Sequence, residues 1–133
     1  MKYFAYGSNL CVRQMQQLCA QSKRLFSARL PNYRLIFVSG SRSRSGGAAT
    51  LRLQKGEQVL GAVYEVDSRC LLSLDKHEGY PGVYDRMNVI VFNDFGDAVE
   101  AFTYFKQGRT VEEPPSQEYL AVIREGYRDW GLV

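Results

Sequence analysis

Chemistry in this chain concentrates in two short stretches, Tyr6-Gly7-Ser8-Asn9-Leu10 and the run from Leu74 to Tyr84 that contains Glu78. In the first, an aromatic, strand-prone segment from Tyr3 to Tyr6 stops at Gly-Ser-Asn. Glycine lacks a Cβ, so successive backbone N–H groups there can turn toward an anion. Ser8 and Asn9 favour turns and the start of a following helix. A plain strand-to-helix connection fits these residues equally well. In the second stretch Glu78 stands where a helix breaks at Gly79, beside Tyr80, Val83 and Tyr84. A carboxyl lying against apolar surface has a pKa raised toward neutrality, which suits it to carrying protons; an ordinary solvent-facing glutamate is the plain alternative.

Other chemistries fit less well. His77 is the sole histidine, so a serine or cysteine triad must use it. Ser8 could be imagined as the nucleophile, but its surroundings lack the second glycine of a GxSxG elbow, and His77 and Glu78, as helical neighbours, project in different directions. One histidine and scattered carboxylates offer no metal-ligand spacing, so neither a metal nor another cofactor is expected. Cys11, Cys19 and Cys70 are odd in number and show no CxxC spacing, which argues against a disulfide framework or a zinc site and for reduced thiols.

The elements that must position these residues fit one domain over residues 1–133, with 45% hydrophobic and 13% aromatic content to build its core. A short helix over Val12–Ala20 places Met15, Leu18 and Cys19 on one side. Leu25–Leu30 and Tyr33–Val38 read as strands separated by a turn at Pro31-Asn32, and Ala48–Leu53 and Gly61–Val66 as strands around a hairpin at Lys55-Gly56-Glu57. Between them, Ser39–Gly47 reads as a flexible loop, with a substrate-side lid or an RNA arm through Arg42 and Arg44 as lesser alternatives. Asp67 caps a helix over Ser68–His77, with Val66 and Leu71 at the two positions of a hydrophobic staple, and Gly79 stops it. Tyr84–Phe92 and Ala98–Phe105 form a hairpin around Asn93–Gly96. After Pro114-Pro115, Ser116 caps a final helix bearing Tyr119, Val122, Ile123 and Tyr127 at helical spacing. Six or more strands with three short helices indicate an α+β fold, its mixed sheet curled toward a small barrel.

A net charge of +3 lacks the clustering of a nucleic-acid binder and suits a small anionic ligand. No secretory signal is recognisable, and no window approaches the ~20 apolar residues that span a bilayer, so the expectation is a soluble, cytoplasmic protein without nucleic-acid or membrane partners. Monomer and homodimer stay open.

Taken together, Tyr6-Gly7-Ser8-Asn9-Leu10 and Leu74-Asp75-Lys76-His77-Glu78-Gly79 resemble the two signatures of the γ-glutamylcyclotransferase family. Ala28-Arg29-Leu30, Gly46-Gly47-Ala48-Ala49-Thr50, Gly61-Ala62-Val63-Tyr64 and Pro114–Tyr119 follow in the same order and spacing, so the resemblance covers nearly the whole chain. It implies a small mixed β-barrel with flanking helices, a first loop (Tyr6 to Leu10) that binds substrate, and Glu78 as the general acid/base. Tyr84 and Tyr119 match tyrosines that line the pocket in relatives. Family members turn a γ-glutamyl amide into 5-oxoproline and a free amine. Relatives acting on γ-glutamyl-lysine tend to read Tyr-Gly-Thr-Leu in the loop and glutathione-specific ones Tyr-Gly-Ser-Leu, so Tyr-Gly-Ser-Asn-Leu favours the γ-glutamyl-amino-acid branch. Short members include enzymes that remove a protecting γ-glutamyl group from an antibiotic intermediate, so the leaving amine stays open. A module that binds small γ-glutamyl or acidic ligands without turnover is the non-enzymatic rival.

Overall fold

In the computed structural model, which describes residues 1–39 and 45–133, a closed five-stranded barrel runs in the order β1-β3-β2-β4-β5. Its elements are β1 (Lys2–Ala5), a 3-10 turn (Ser8–Leu10), α1 (Val12–Leu18), β2 (Lys23–Val38), β3 (Ala48–Glu65), α2 (Ser68–Glu78), β4 (Tyr84–Asn93), β5 (Ala98–Lys106) and α3 (Gln117–Asp129). Neighbours are antiparallel except at the closure, where β1 meets β5 in parallel with Tyr3 opposite Phe102.

The strand count is five and not six or more, because two expected turns lie inside continuous strands. Tyr33 pairs with Leu53 and Pro31 with Gln58, so Asn32 alone faces the four residues 54–57 of β3. The extra length is taken up as a bulge. Asn32 adopts φ 65° and Gly56 φ 89°, and the Gly56 N–H donates to Asn32 Oδ1 at 3.1 Å. Pro31-Asn32 and Lys55-Gly56-Glu57 therefore bend one long ladder rather than ending it. Of the loop expected at Ser39–Gly47, the lid or arm carried by Arg42 and Arg44 lies outside the described residues.

Alternation along the strands divides the core in two. Phe4, Ala28, Leu30, Val63, Val89 and Val91 fill the barrel. Tyr3, Ala62, Tyr64 and Tyr104 face outward and pack under Met15, Cys70 and Leu74 of the helices. The helix ends follow local rules. Asp67 accepts from Cys70 N–H at 2.8 Å, Gly79 closes α2 at φ 73°, and Ser116 Oγ accepts from Tyr119 N–H at 3.2 Å. The β4–β5 hairpin is held by Asn93, whose Oδ1 takes the N–H groups of Phe95 and Asp97.

The cysteine expectation needs correction. Cys19, at the end of α1, and Cys70, in the first turn of α2, form a disulfide across 51 residues of sequence, while Cys11 is a buried free thiol. Packing α1 beside α2 brings their Cα atoms to 5.3 Å, within bridging distance, a tertiary fact that spacing along the chain does not encode.

Two outcomes follow. Thiol titration of denatured, unreduced protein should find one reactive group, and three after reduction; with a loop of this length, reduction should cost up to about 4 kcal/mol in urea unfolding. At Gly126 of α3 a Cβ would lie 2.5 Å from Leu10 Cβ and 2.6 Å from Cys11 N. Gly126→Ala should therefore destabilise by roughly 1–3 kcal/mol by the same measurement, since helix and turn must separate to admit the methyl group.

Candidate active site

The end of β1, the 3-10 turn and the C-terminus of α2 open onto one cavity of about 260 Å³. Its lining brings together Tyr6, Gly7, Ser8, Asn9, Glu78, Tyr84 and Tyr119, seven of the eight residues singled out from sequence. Leu10 is the exception. It is fully buried among Tyr3, Met15 and Tyr64, and its N–H donates to Gly7 C=O at 3.1 Å, so it offers the cavity no donor.

Each part of the site has a local cause. The 3-10 turn commits the N–H groups of Leu10 and Cys11 to the carbonyls of Gly7 and Ser8, which makes Ser8 and Asn9 its leading donors. Space at Gly7 is tight on one side. A Cβ there would sit 3.3 Å from Ala49 Cβ and 3.7 Å from the Tyr119 hydroxyl. Glu78, half-buried, is the last residue of α2, and Gly79 turns the chain away behind it. The ends of that helix are fixed independently. Asp67 caps one end; at the other, Asp75 accepts from the Tyr104 hydroxyl at 2.6 Å and lies 3.5 Å from Arg86 Nε.

Tyr84 and Tyr119 converge on a single residue. The Tyr84 hydroxyl donates to Ala49 C=O at 2.7 Å, and Ala49 N–H donates to the Tyr119 oxygen at 3.0 Å. Start of β4, start of β3 and first turn of α3 are thereby locked around the cavity. Sequence reasoning missed two further lining tyrosines, Tyr3 and Tyr104. Tyr3 shares its strand with the recognised loop, and its position one alternation from Ala5 was the available signal. Tyr104 had none, because β5 reaches the cavity only through barrel closure.

Burial pushes the Tyr3 and Tyr6 hydroxyls well above the usual phenol range. The negative charge of Glu78 adds to the shift at Tyr3, as Tyr84 and then Glu78 do at Tyr6. Both stay protonated and neutral, so the lining supplies hydrogen-bond donors without charge. Lys76 and exposed His77 stand at the rim.

Among the described residues, the one group of three possible metal ligands is Cys11, Glu125 and Asp129, with ligand atoms within 4.8 Å of one another, and it does not line the cavity. Its groups already join α1 to α3. The Cys11 thiol and the Arg13 guanidinium donate to Glu125, and Val12 N–H donates to Asp129. Among the same residues, no helix is long and apolar enough to cross a membrane.

Comparison with known proteins agrees with this geometry. The family model described as gamma-glutamyl cyclotransferase, AIG2-like, matches residues 3–129. The gamma-glutamylcyclotransferase of Bos taurus is 33% identical over 98% of this chain and 71% of its own length, and that of Homo sapiens 31% identical over the same shares. A solved gamma-glutamyl cyclotransferase superposes with a TM-score of 0.93 at 30% identity, covering 99% of this chain and 80% of that one. A crystal structure of an uncharacterized protein from Homo sapiens gives 0.92 at 31%, covering 98% and 80%. With its barrel, cavity and nearly full-length similarity, the chain belongs to the γ-glutamylcyclotransferase family of enzymes.

Proposed function

We propose that this protein cyclises the γ-glutamyl group of a γ-glutamyl amide to 5-oxoproline, releasing the free amine, with Glu78 as general acid/base. The observation that carries this reading is the single cavity lined both by Glu78 and by the Tyr6–Asn9 loop.

The reaction is intramolecular. The substrate's own α-amine attacks its γ-carbonyl carbon, so tethering supplies the effective molarity that a covalent enzyme nucleophile would otherwise provide. What remains is proton movement and charge stabilisation. The α-ammonium loses one proton before attack and a second as the ring nitrogen becomes a lactam N–H. The leaving nitrogen gains both and departs as an ammonium ion. Glu78 can carry each in turn.

Negative charge on the substrate needs donors already in position. Gly7, Ser8 and Asn9 line the cavity, and their N–H groups are the proposed partners of the substrate's α-carboxylate. Tyr84 and Tyr119, pinned through Ala49, give the glutamyl chain a fixed wall. The Ser8 Oγ accepts from Gln14 Nε2 at 2.8 Å, which ties its side chain to α1, and the proposed reaction uses Ser8 through its backbone N–H. The cavity volume suits a γ-glutamyl group joined to a small amine or amino acid.

With γ-glutamyl-alanine as substrate and 5-oxoproline as the assayed product, Glu78→Gln should lose roughly 10²- to 10⁴-fold in kcat/KM. Equal activity would remove Glu78 from the mechanism, and an inactive wild type across a panel of γ-glutamyl amines would defeat the reaction class. Ser8→Ala should stay within a few-fold of wild type, about the effect of one part-buried hydrogen bond. Intact-mass analysis during turnover should show no covalent adduct; an acyl-enzyme mass lost in Ser8→Ala would establish a serine mechanism instead.

A further inference from the structure

The lining tyrosines differ in which way their hydroxyl protons point. A phenol has one proton to donate, so each hydrogen bond it gives fixes that proton's direction. Tyr6 donates to Tyr104 C=O at 2.5 Å, Tyr84 to Ala49 C=O at 2.7 Å, and Tyr104 to Asp75 Oδ1 at 2.6 Å. These three protons are committed to the protein. Two are bonded the other way round: the Tyr119 oxygen accepts from Ala49 N–H at 3.0 Å, and the Tyr3 oxygen, deeper in the core, accepts from Asn9 Nδ2 at 2.9 Å. That bond occupies a lone pair and leaves the proton to be directed elsewhere.

The polarity of that bond is set by a short chain of side chains. Gln14 Nε2 donates to Ser8 Oγ at 2.8 Å and to Asn9 Oδ1 at 2.9 Å, which turns the Asn9 Nδ2 group toward Tyr3. Asn9 is 3% exposed and Tyr3 4%, so solvent competes poorly for either group. The Tyr3 ring is held between Phe102 at 5.3 Å and Tyr104 at 5.8 Å, and it lines the cavity beside Glu78, whose charge it feels.

We propose that Tyr3 is a further catalytic residue, its hydroxyl donating to the γ-carbonyl oxygen as negative charge develops there, and that Asn9 and Gln14 are positioning residues that aim it. The assignment rests on the γ-glutamyl reading above. A neutral donor next to the residue that moves the protons fits the demand of the tetrahedral state: it stabilises the new charge without supplying a proton that must later be recovered. It also gives Asn9 a side-chain role distinct from its backbone N–H.

The test is a double-mutant cycle on 5-oxoproline formation from γ-glutamyl-alanine. Tyr3→Phe keeps the ring and its packing, so circular dichroism should match wild type and the melting temperature should fall by only the few degrees that the unpaired Asn9 amide costs, while kcat falls about 10²-fold with KM changed no more than about threefold. Asn9→Ala should lower kcat by roughly tenfold, and the double variant should be no slower than Tyr3→Phe alone, since Asn9 acts through Tyr3. Single losses that multiply would mark Asn9 as merely structural and overturn the positioning role. If both amides were reversed, Tyr3 would give its proton to Asn9 Oδ1; an active wild type whose Tyr3→Phe variant keeps its kcat would establish that and overturn the assignment alone. A wild type forming no 5-oxoproline would instead defeat the γ-glutamyl reading, and this assignment with it.

Discussion

Burying a turn obliges a protein to find a partner for each polar group it removes from water, and the Gly7–Leu10 turn is buried on its inner side. Most of the site's architecture meets that demand. The Tyr64 hydroxyl reaches Asn9 C=O at 2.9 Å, and Trp130 Nε1 reaches Leu10 C=O at 2.9 Å from the far end of α3. Asn9 places its amide between Gln14 and Tyr3. Gly126 lets α3 approach until helix backbone and turn are in contact. A solvent-exposed turn could rely on water for these bonds and would then wander. This one is fixed from strand, helix and its own side chains, which is what a preorganised anion cradle requires.

The opposite wall is built differently. Glu78 lies at the end of an element rather than in a loop, so its position depends on α2 as a rigid body. Asp67 and Gly79 define where that helix starts and stops, and the Cys19–Cys70 bridge ties its first turn to the end of α1. Near its last turn, Asp75 is held to β5 by Tyr104 and faces Arg86 of β4, whose guanidinium covers the Tyr80 ring at 4.0 Å. Tyr104 thus serves both walls, since its carbonyl receives the Tyr6 proton while its hydroxyl holds α2.

What could be read in the sequence was what depends on near neighbours. Asp67, Gly79 and Ser116 act within three or four residues of themselves, and each cap forms where expected. Glu78 and the Tyr6–Asn9 loop stood out as local motifs, and both reach the cavity. Errors arose wherever a partner strand or helix decides. Pro31-Asn32 and Lys55-Gly56-Glu57 carry turn residues, yet in register opposite one another they make one bulge in an unbroken ladder. Leu10 belongs to the recognised motif, but the 3-10 turn rotates it into the core. Cys19 and Cys70 meet only because α1 packs against α2, and Tyr104 reaches the site only because β5 closes on β1. Register, closure and helix packing are tertiary quantities, and a single-chain pattern carries little of them.

If Glu78 moves the protons as proposed, phenols suit this lining better than charged donors would. A buried lysine or arginine beside Glu78 would stabilise the ionised carboxylate and weaken its hold on the proton that the proposed reaction has it pass on. It would also repel the ammonium that a γ-glutamyl substrate brings with it. A tyrosine hydroxyl donates a comparable hydrogen bond at no cost in charge, provided it stays protonated. Burial and the field of Glu78 together ensure this at Tyr3, where both act to hold the proton on. Among the described lining residues the one fixed cation, Lys76, is exposed, as is His77 beside it. There Lys76 would help to attract an anionic substrate.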